Sequence, residues 1–172
     1  RGNASAPRDI WARLKGRRSI PWEPSEHRLH FGGSYCEGVS PMRKTYSGSC
    51  HCGAVRFEID ADIDHVRVCD CSICSRRGAL IYRVSNECFR LLTPIEGVSV
   101  YRWGSMTAVD YFCPTCGILP FRKPSQPTSE ELKAGIQPFN GWAVNVRCLD
   151  GFDPSSVPVR QIYGSTLVIE SP

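Results

Sequence analysis

Seven of the ten cysteines in this 172-residue chain fall into three short clusters: Cys50-His51-Cys52, Cys69-Asp70-Cys71-Ser72-Ile73-Cys74 and Cys113-Pro114-Thr115-Cys116. One short cluster delivers two or three sulfurs to a common point, and four such ligands surround one tetrahedral zinc ion. The same number of cysteines in a secreted chain would suggest a disulfide framework, but such frameworks spread their cysteines to staple distant segments, and C-x-C pairs sit too close to bridge usefully. The spacing therefore points to zinc–thiolate chemistry. It also points to a reducing cytoplasm, where free thiols persist. Cys36, Cys88 and Cys148 lie outside the clusters and read as small buried or half-buried apolar residues rather than ligands.

Cys50, Cys52, Cys113 and Cys116 supply the four ligands of a closed structural zinc. In Cys113-Pro114-Thr115-Cys116-Gly117 a tight turn aims two sulfurs at one point, and Gly117 permits a left-handed backbone. Cys69, Cys71 and Cys74 then remain, three thiolates with no fourth clustered cysteine, which is the ligand count of a catalytic zinc with a vacant position. The alternative is a second closed site completed by Cys36, Cys148, Asp70 or a histidine. An iron–sulfur cluster fits less well, since C-x-C-x-x-C does not match the ferredoxin spacings. Two zinc ions per chain follow. His51, between two ligands, should face away from the metal. Arg76 and Arg77 directly follow the three-thiolate cluster, where they would balance its charge, hold a substrate carboxylate, or form a solvated turn.

The elements that position these residues read as strands. From Lys44 onward the hydrophobic period is mostly two: Val55, Phe57 and Ile59 alternate with Arg56 and Glu58. Val66–Val68, Leu80–Val84, Val98–Trp103, Thr107–Phe112, Ile118–Arg122 and Trp142–Val146 read in the same way, which predicts a mainly β domain. Ser129 is a candidate N-cap for one short helix through Lys133. Residues 1–41, rich in proline and arginine, read as a weakly structured basic extension with a helical turn or two between Asp9 and Leu14, and residues 42–172 as the zinc-binding domain. Met42 is a candidate natural start. The net charge of +4 resolves into +5 over residues 1–44 and −1 over the rest. The domain therefore lacks the basic footprint of a nucleic-acid-binding surface. No apolar run approaches the length of a membrane span, and Leu167-Val168-Ile169 is isolated among polar neighbours.

Gly48-Ser49-Cys50-His51-Cys52-Gly53-Ala54-Val55-Arg56-Phe57, the 69–74 cluster and Tyr111-Phe112-Cys113-Pro114-Thr115-Cys116-Gly117 together resemble the glutathione-dependent formaldehyde-activating enzyme family, which also includes centromere protein V. The resemblance spans roughly residues 42–165, with Ala143 to Asp150 near its end. It implies a β-tent fold of antiparallel sheets meeting near the metals. It gives Cys50, Cys52, Cys113 and Cys116 as structural zinc ligands and Cys69, Cys71 and Cys74 as ligands of the active-site zinc. The implied activity is a carbon–sulfur lyase that joins glutathione and formaldehyde. Where family members often carry His before the aromatic pair of the third motif, this chain has Asp110. A general acid for the new hydroxyl would come from Asp110, Tyr111 or His51. The competing function is a non-catalytic zinc module for protein or nucleic acid, with the basic segment Arg8–Arg18 as its arm.

Overall fold

The structure, a computed structural model, describes residues 43–166. The basic extension expected over residues 1–41, its helical turn, Cys36 and the 167–169 run lie outside the described residues. Among the described residues ten strands form two sheets. The smaller is antiparallel, in the order β1 (Lys44–Ser49), β2 (Arg56–Ala61), β5 (Phe89–Leu91). The larger runs β10 (Val159–Ile162), β3 (Val66–Cys69), β4 (Ile81–Ser85), β9 (Gly141–Asn145), β8 (Phe121–Lys123), β7 (Val109–Phe112), β6 (Ser99–Tyr101). The mainly β architecture agrees with the expectation. One pair departs from it, because β10 runs parallel to β3. The chain reaches that edge by a long connection and not by a hairpin, so nothing forces it to reverse direction.

Period two decides which face of each strand is buried. In β2 the side chains of Phe57, Ile59 and Ala61 are buried while those between them keep solvent contact. They meet Val84, Phe121 and Val144 of the larger sheet, and Val146 just beyond β9, in one core. Its centre is aromatic: Phe57 lies edge-on to Phe121 with centroids 5.5 Å apart, and Phe89 stacks on Trp142 at 4.4 Å. Each such pair contributes roughly 0.5–1.5 kcal/mol beyond the area it buries. The strand expected over Ile118–Arg122 begins only at Phe121, since Pro120 has no N–H for the ladder.

Two short helices, α1 (Cys74–Arg77) and α2 (Ser129–Lys133), complete the elements used below. The expected helix is present, but its N-cap is Thr128 and not Ser129. Thr128 Oγ1 accepts from the Glu131 N–H at 3.2 Å, and Glu131 accepts from the Thr128 N–H at 2.8 Å, a reciprocal capping box. Among the described residues no helix is long and apolar enough to cross a membrane.

Candidate functional site

Cys50 and Cys52 lie on the turn after β1, Cys113 and Cys116 on the turn after β7. The two turns are built alike. Cys50 N–H donates to the Val55 carbonyl at 3.0 Å and Gly53 N–H to the Cys50 carbonyl at 3.0 Å; Cys113 N–H donates to Ile118 and Gly117 N–H to Cys113, both at 2.9 Å. Gly117 has φ +72°, the left-handed conformation its place in the turn requires. All four sulfurs lie within 4.8 Å of one another, with Cys50 to Cys52 and Cys52 to Cys113 each 3.6 Å. Four sulfurs around one zinc, each about 2.3 Å from it, stand about 3.8 Å apart, so the donor set fits a tetrahedral ion. Burial opposes the Cys113 thiolate, but the N–H groups of Cys116 and Thr115 outweigh it and bring that thiol down to about 6. Ala54 N–H favours the Cys52 thiolate, yet the sulfurs around it, Cys50 first, push that thiol up to about 12. Four crowded sulfurs cannot all carry charge unaided, and a divalent cation resolves that conflict.

Cys69 ends β3, Cys71 follows in the next turn and Cys74 opens α1; these three sulfurs also lie within 4.8 Å of one another. No fourth metal-ligating side chain joins them among the described residues. Asp70 is turned to the C-terminal segment: its carboxylate accepts from Ser165 N–H at 2.8 Å and Ser165 Oγ at 2.9 Å, and its own N–H donates to the Ile162 carbonyl at 3.2 Å. Cys148 sits by the first group: burial, then the neighbouring Cys50 and Cys116, pushes its thiol up to about 12. Cys88 is buried as expected, but it is disulfide-bonded and so not a free thiol. Burial, followed by the neighbouring sulfurs of Cys71 and Cys69, raises the Cys74 thiol to about 12 against the pull of Arg122.

Strand register builds a cavity beside this second group. Paired residues on adjacent strands project to one face, and the pairing runs Arg83, Ala143, Arg122, Asp110, Tyr101 across β4, β9, β8, β7 and β6. Arg67 of β3 is paired with Ile81, two residues from Arg83, so it shares that face; Cys69 lies two residues further along β3. The other face is the core. The arginine-bearing face floors a cavity of about 510 Å3, open to Cys69, Cys71 and Cys74 at one side and walled by segments 103–108 and 124–128. Ala143 contributes only a methyl group, which keeps the space between Arg83 and Arg122 clear. Arg83 keeps solvent contact, yet burial, then Arg67 and Arg122 beside it, lowers its pKa. Trp103 Nε1 and Arg67 Nε, both from cavity-lining residues, are buried without a hydrogen-bond partner among the described residues.

Asp110 is the one fully buried charged residue among those described, 0% exposed. Arg77 Nη1 stands 2.6 Å and Arg122 Nε 2.8 Å from its oxygens, at ion-pair distance though off the line of a hydrogen bond. Arg122 also donates through Nη1 to Cys74 Sγ at 3.7 Å. Arg77 thus has a buried partner, and Arg76 donates to the Ser72 carbonyl, so neither lines the cavity. Of the expected general acids none lines it either: His51 is exposed, Tyr111 packs on Phe121 and Trp142, and Asp110 is held by its arginines. Arg67, Arg83, Arg122 and Trp103 escaped the sequence reading. Arg67 and Arg83 alternate with apolar residues, which reads as an ordinary wet face.

The model of the family described as glutathione-dependent formaldehyde-activating enzyme matches residues 45–139. The crystal structure of a Rhodobacter sphaeroides protein, a structural-genomics target, superposes with a TM-score of 0.53 at 32% identity, covering 66% of this chain and 99% of that one.

Proposed function

Because the chain belongs to the glutathione-dependent formaldehyde-activating enzyme family, we propose that it joins glutathione to formaldehyde as S-hydroxymethylglutathione, a carbon–sulfur lyase reaction run toward synthesis. The observation that carries this reading is the convergence of the Cys69, Cys71 and Cys74 sulfurs on a cavity floored by Arg67, Arg83 and Arg122. Glutathione brings one thiol and two carboxylates, and at about 510 Å3 the cavity is within the usual range for a ligand of that size. Arg67 and Arg83 are suited to the carboxylates, each charge-assisted bond contributing roughly 1.5–3 kcal/mol. Trp103 Nε1 is a further donor in want of an acceptor.

Cys50, Cys52, Cys113 and Cys116 would hold one zinc ion as a structural tie, and Cys69, Cys71 and Cys74 a second with an open position. Zinc in the second site would supply Lewis acidity, favouring the thiolate of an incoming thiol and polarising a carbonyl. The residues of the chain do the rest. The arginines orient the tripeptide with its sulfur toward the three cysteines, and the cavity walls hold the small aldehyde against it, which converts an encounter into a positioned pair. The thiol proton leaves to solvent, the sulfur–carbon bond forms as the carbonyl π pair moves to oxygen, and that oxygen takes a proton. With Asp110, Tyr111 and His51 outside the cavity, water entering its open side delivers that proton. Among the described residues eight cysteines are free and Cys88 is disulfide-bonded, a balance that favours the cytoplasm as the place of action.

Cys74→Ser tests the reading. It should keep the fold, lose about one zinc ion per chain and abolish the acceleration of glutathione–formaldehyde exchange, read near equilibrium by NMR because the uncatalysed addition is itself fast. Wild-type protein that holds two zinc ions and leaves the exchange rate unchanged would sink the enzyme reading and move a non-catalytic zinc module ahead.

A further inference from the structure

Arg122 differs from the other two arginines of the cavity floor. Its Nε stands 2.8 Å from the fully buried Asp110, and its Nη1 donates to Cys74 Sγ at 3.7 Å. A guanidinium is planar and carries five N–H groups in a fixed fork, so tethering one edge fixes where the rest point. Among the described residues neither Arg67 nor Arg83 is tethered to a buried carboxylate, since Asp110 pairs with Arg77 and Arg122. Asp110 faces two arginines, Arg77 and Arg122, so the trio carries one net positive charge, set beside the sulfur of Cys74.

Resting on the reaction proposed above, we propose that Arg122 is a catalytic residue that takes up the negative charge developing on the aldehyde oxygen, and that Asp110 is the residue positioning it. When the glutathione sulfur bonds to the carbonyl carbon, the π pair moves to oxygen and makes an alkoxide. A sulfur next to Cys69, Cys71 and Cys74 places that oxygen within reach of the guanidinium beside Cys74. Arg122 keeps its own protons throughout. It stabilises the alkoxide by hydrogen bonds until water protonates it, so atoms and charge balance as in the uncatalysed addition. Such a donor accelerates the chemical step when it is fixed before the charge appears. Asp110 fixes it: the alternation of the strands brings Asp110 and Arg122 side by side on β7 and β8. This gives the Asp at position 110 a task where a histidine would not hold two guanidinium groups.

Arg122→Lys and Arg122→Gln both leave Arg77 on Asp110, so the buried carboxylate keeps a partner and the fold should persist. With zinc content and melting temperature unchanged, each variant should lower kcat for exchange by about 10²–10³-fold while KM for glutathione changes little. A second readout does not depend on turnover. S-carboxymethylglutathione carries an anionic carboxylate one methylene from its sulfur, close to where the alkoxide forms, and S-methylglutathione does not. By calorimetry the wild type should prefer the former by about tenfold, and Arg122→Gln should abolish that preference. Exchange that both variants accelerate as well as the wild type, or a loss confined to KM with the preference intact, overturns the role and leaves the enzyme reading standing. A wild type that does not accelerate exchange at all overturns the enzyme reading, and this role with it.

Discussion

A methyl group added at position 164 would lie 2.5 Å from Cys69 Sγ and 3.0 Å from Cys71 Cβ, closer than packed atoms approach. Gly164 belongs to the segment that Asp70 fastens through Ser165, so it has little freedom to retreat. Gly164→Ala should therefore displace a sulfur of the three-cysteine group and weaken metal binding there, at a stability cost of about 1–3 kcal/mol from overpacking. Metal analysis should find the second ion easily stripped and the first retained. Unaltered affinity for both would mean that the segment yields and that its closeness is incidental. At this scale the sequence was uneven as a guide. Cysteines announce themselves because few other tasks cluster them, and the seven sulfurs gather into a group of four and a group of three. Gly164, Ser165 and Arg122 carry no such mark: each acts through a neighbour 48 or more positions away, as Arg122 does on Cys74 and Ser165 on Asp70.

At the scale of elements, the period-two signal located strands that bury one face against the core, which is why β2, β4, β7 and β9 were legible. It overlooked β5, three residues long, and β10, whose outward Val159 is 58% exposed and whose partner is parallel. Alternation also says that a face is polar without saying whether it meets bulk water or a cavity, and the arginine row fell into that gap. The turns after β1 and β7 bring together Cys50, Cys52, Cys113 and Cys116 from different sheets, so a metal held between them would bear on folding. Zinc bound to four such ligands is worth about 10–16 kcal/mol in small domains, against a total stability of about 5–15 kcal/mol. Removing one buried ligand thus threatens the whole margin. Cys113→Ser should give insoluble protein or a melting temperature far below that of the wild type; a soluble variant melting cooperatively at the wild-type temperature would show that the tie is dispensable.

For the whole molecule, the two cysteine groups differ in their surroundings. The first lies at the junction of the sheets, with Cys50 and Cys113 buried at 2% and 0% exposure. The second opens on the cavity, and each of its three cysteines is half-buried. Net charge, nearly zero over this part of the chain, hides the same division, because the three cavity arginines are gathered on one face while acidic residues such as Glu58 and Asp60 engage Arg90 on the outside of the smaller sheet. A chelator added to the fully loaded protein should therefore remove zinc in two kinetic steps. The fast step should empty Cys69, Cys71 and Cys74 and end acceleration of the exchange while near-ultraviolet circular dichroism keeps its folded signature, since those three cysteines are not part of the core cluster of Phe57, Phe121 and Trp142. The slow step should empty the first group and coincide with loss of that signature, because exposing Cys50 and Cys113 requires the sheets to part. Release of both ions in one step together with unfolding would mean that the second site is also structural, and would count against an open coordination position there.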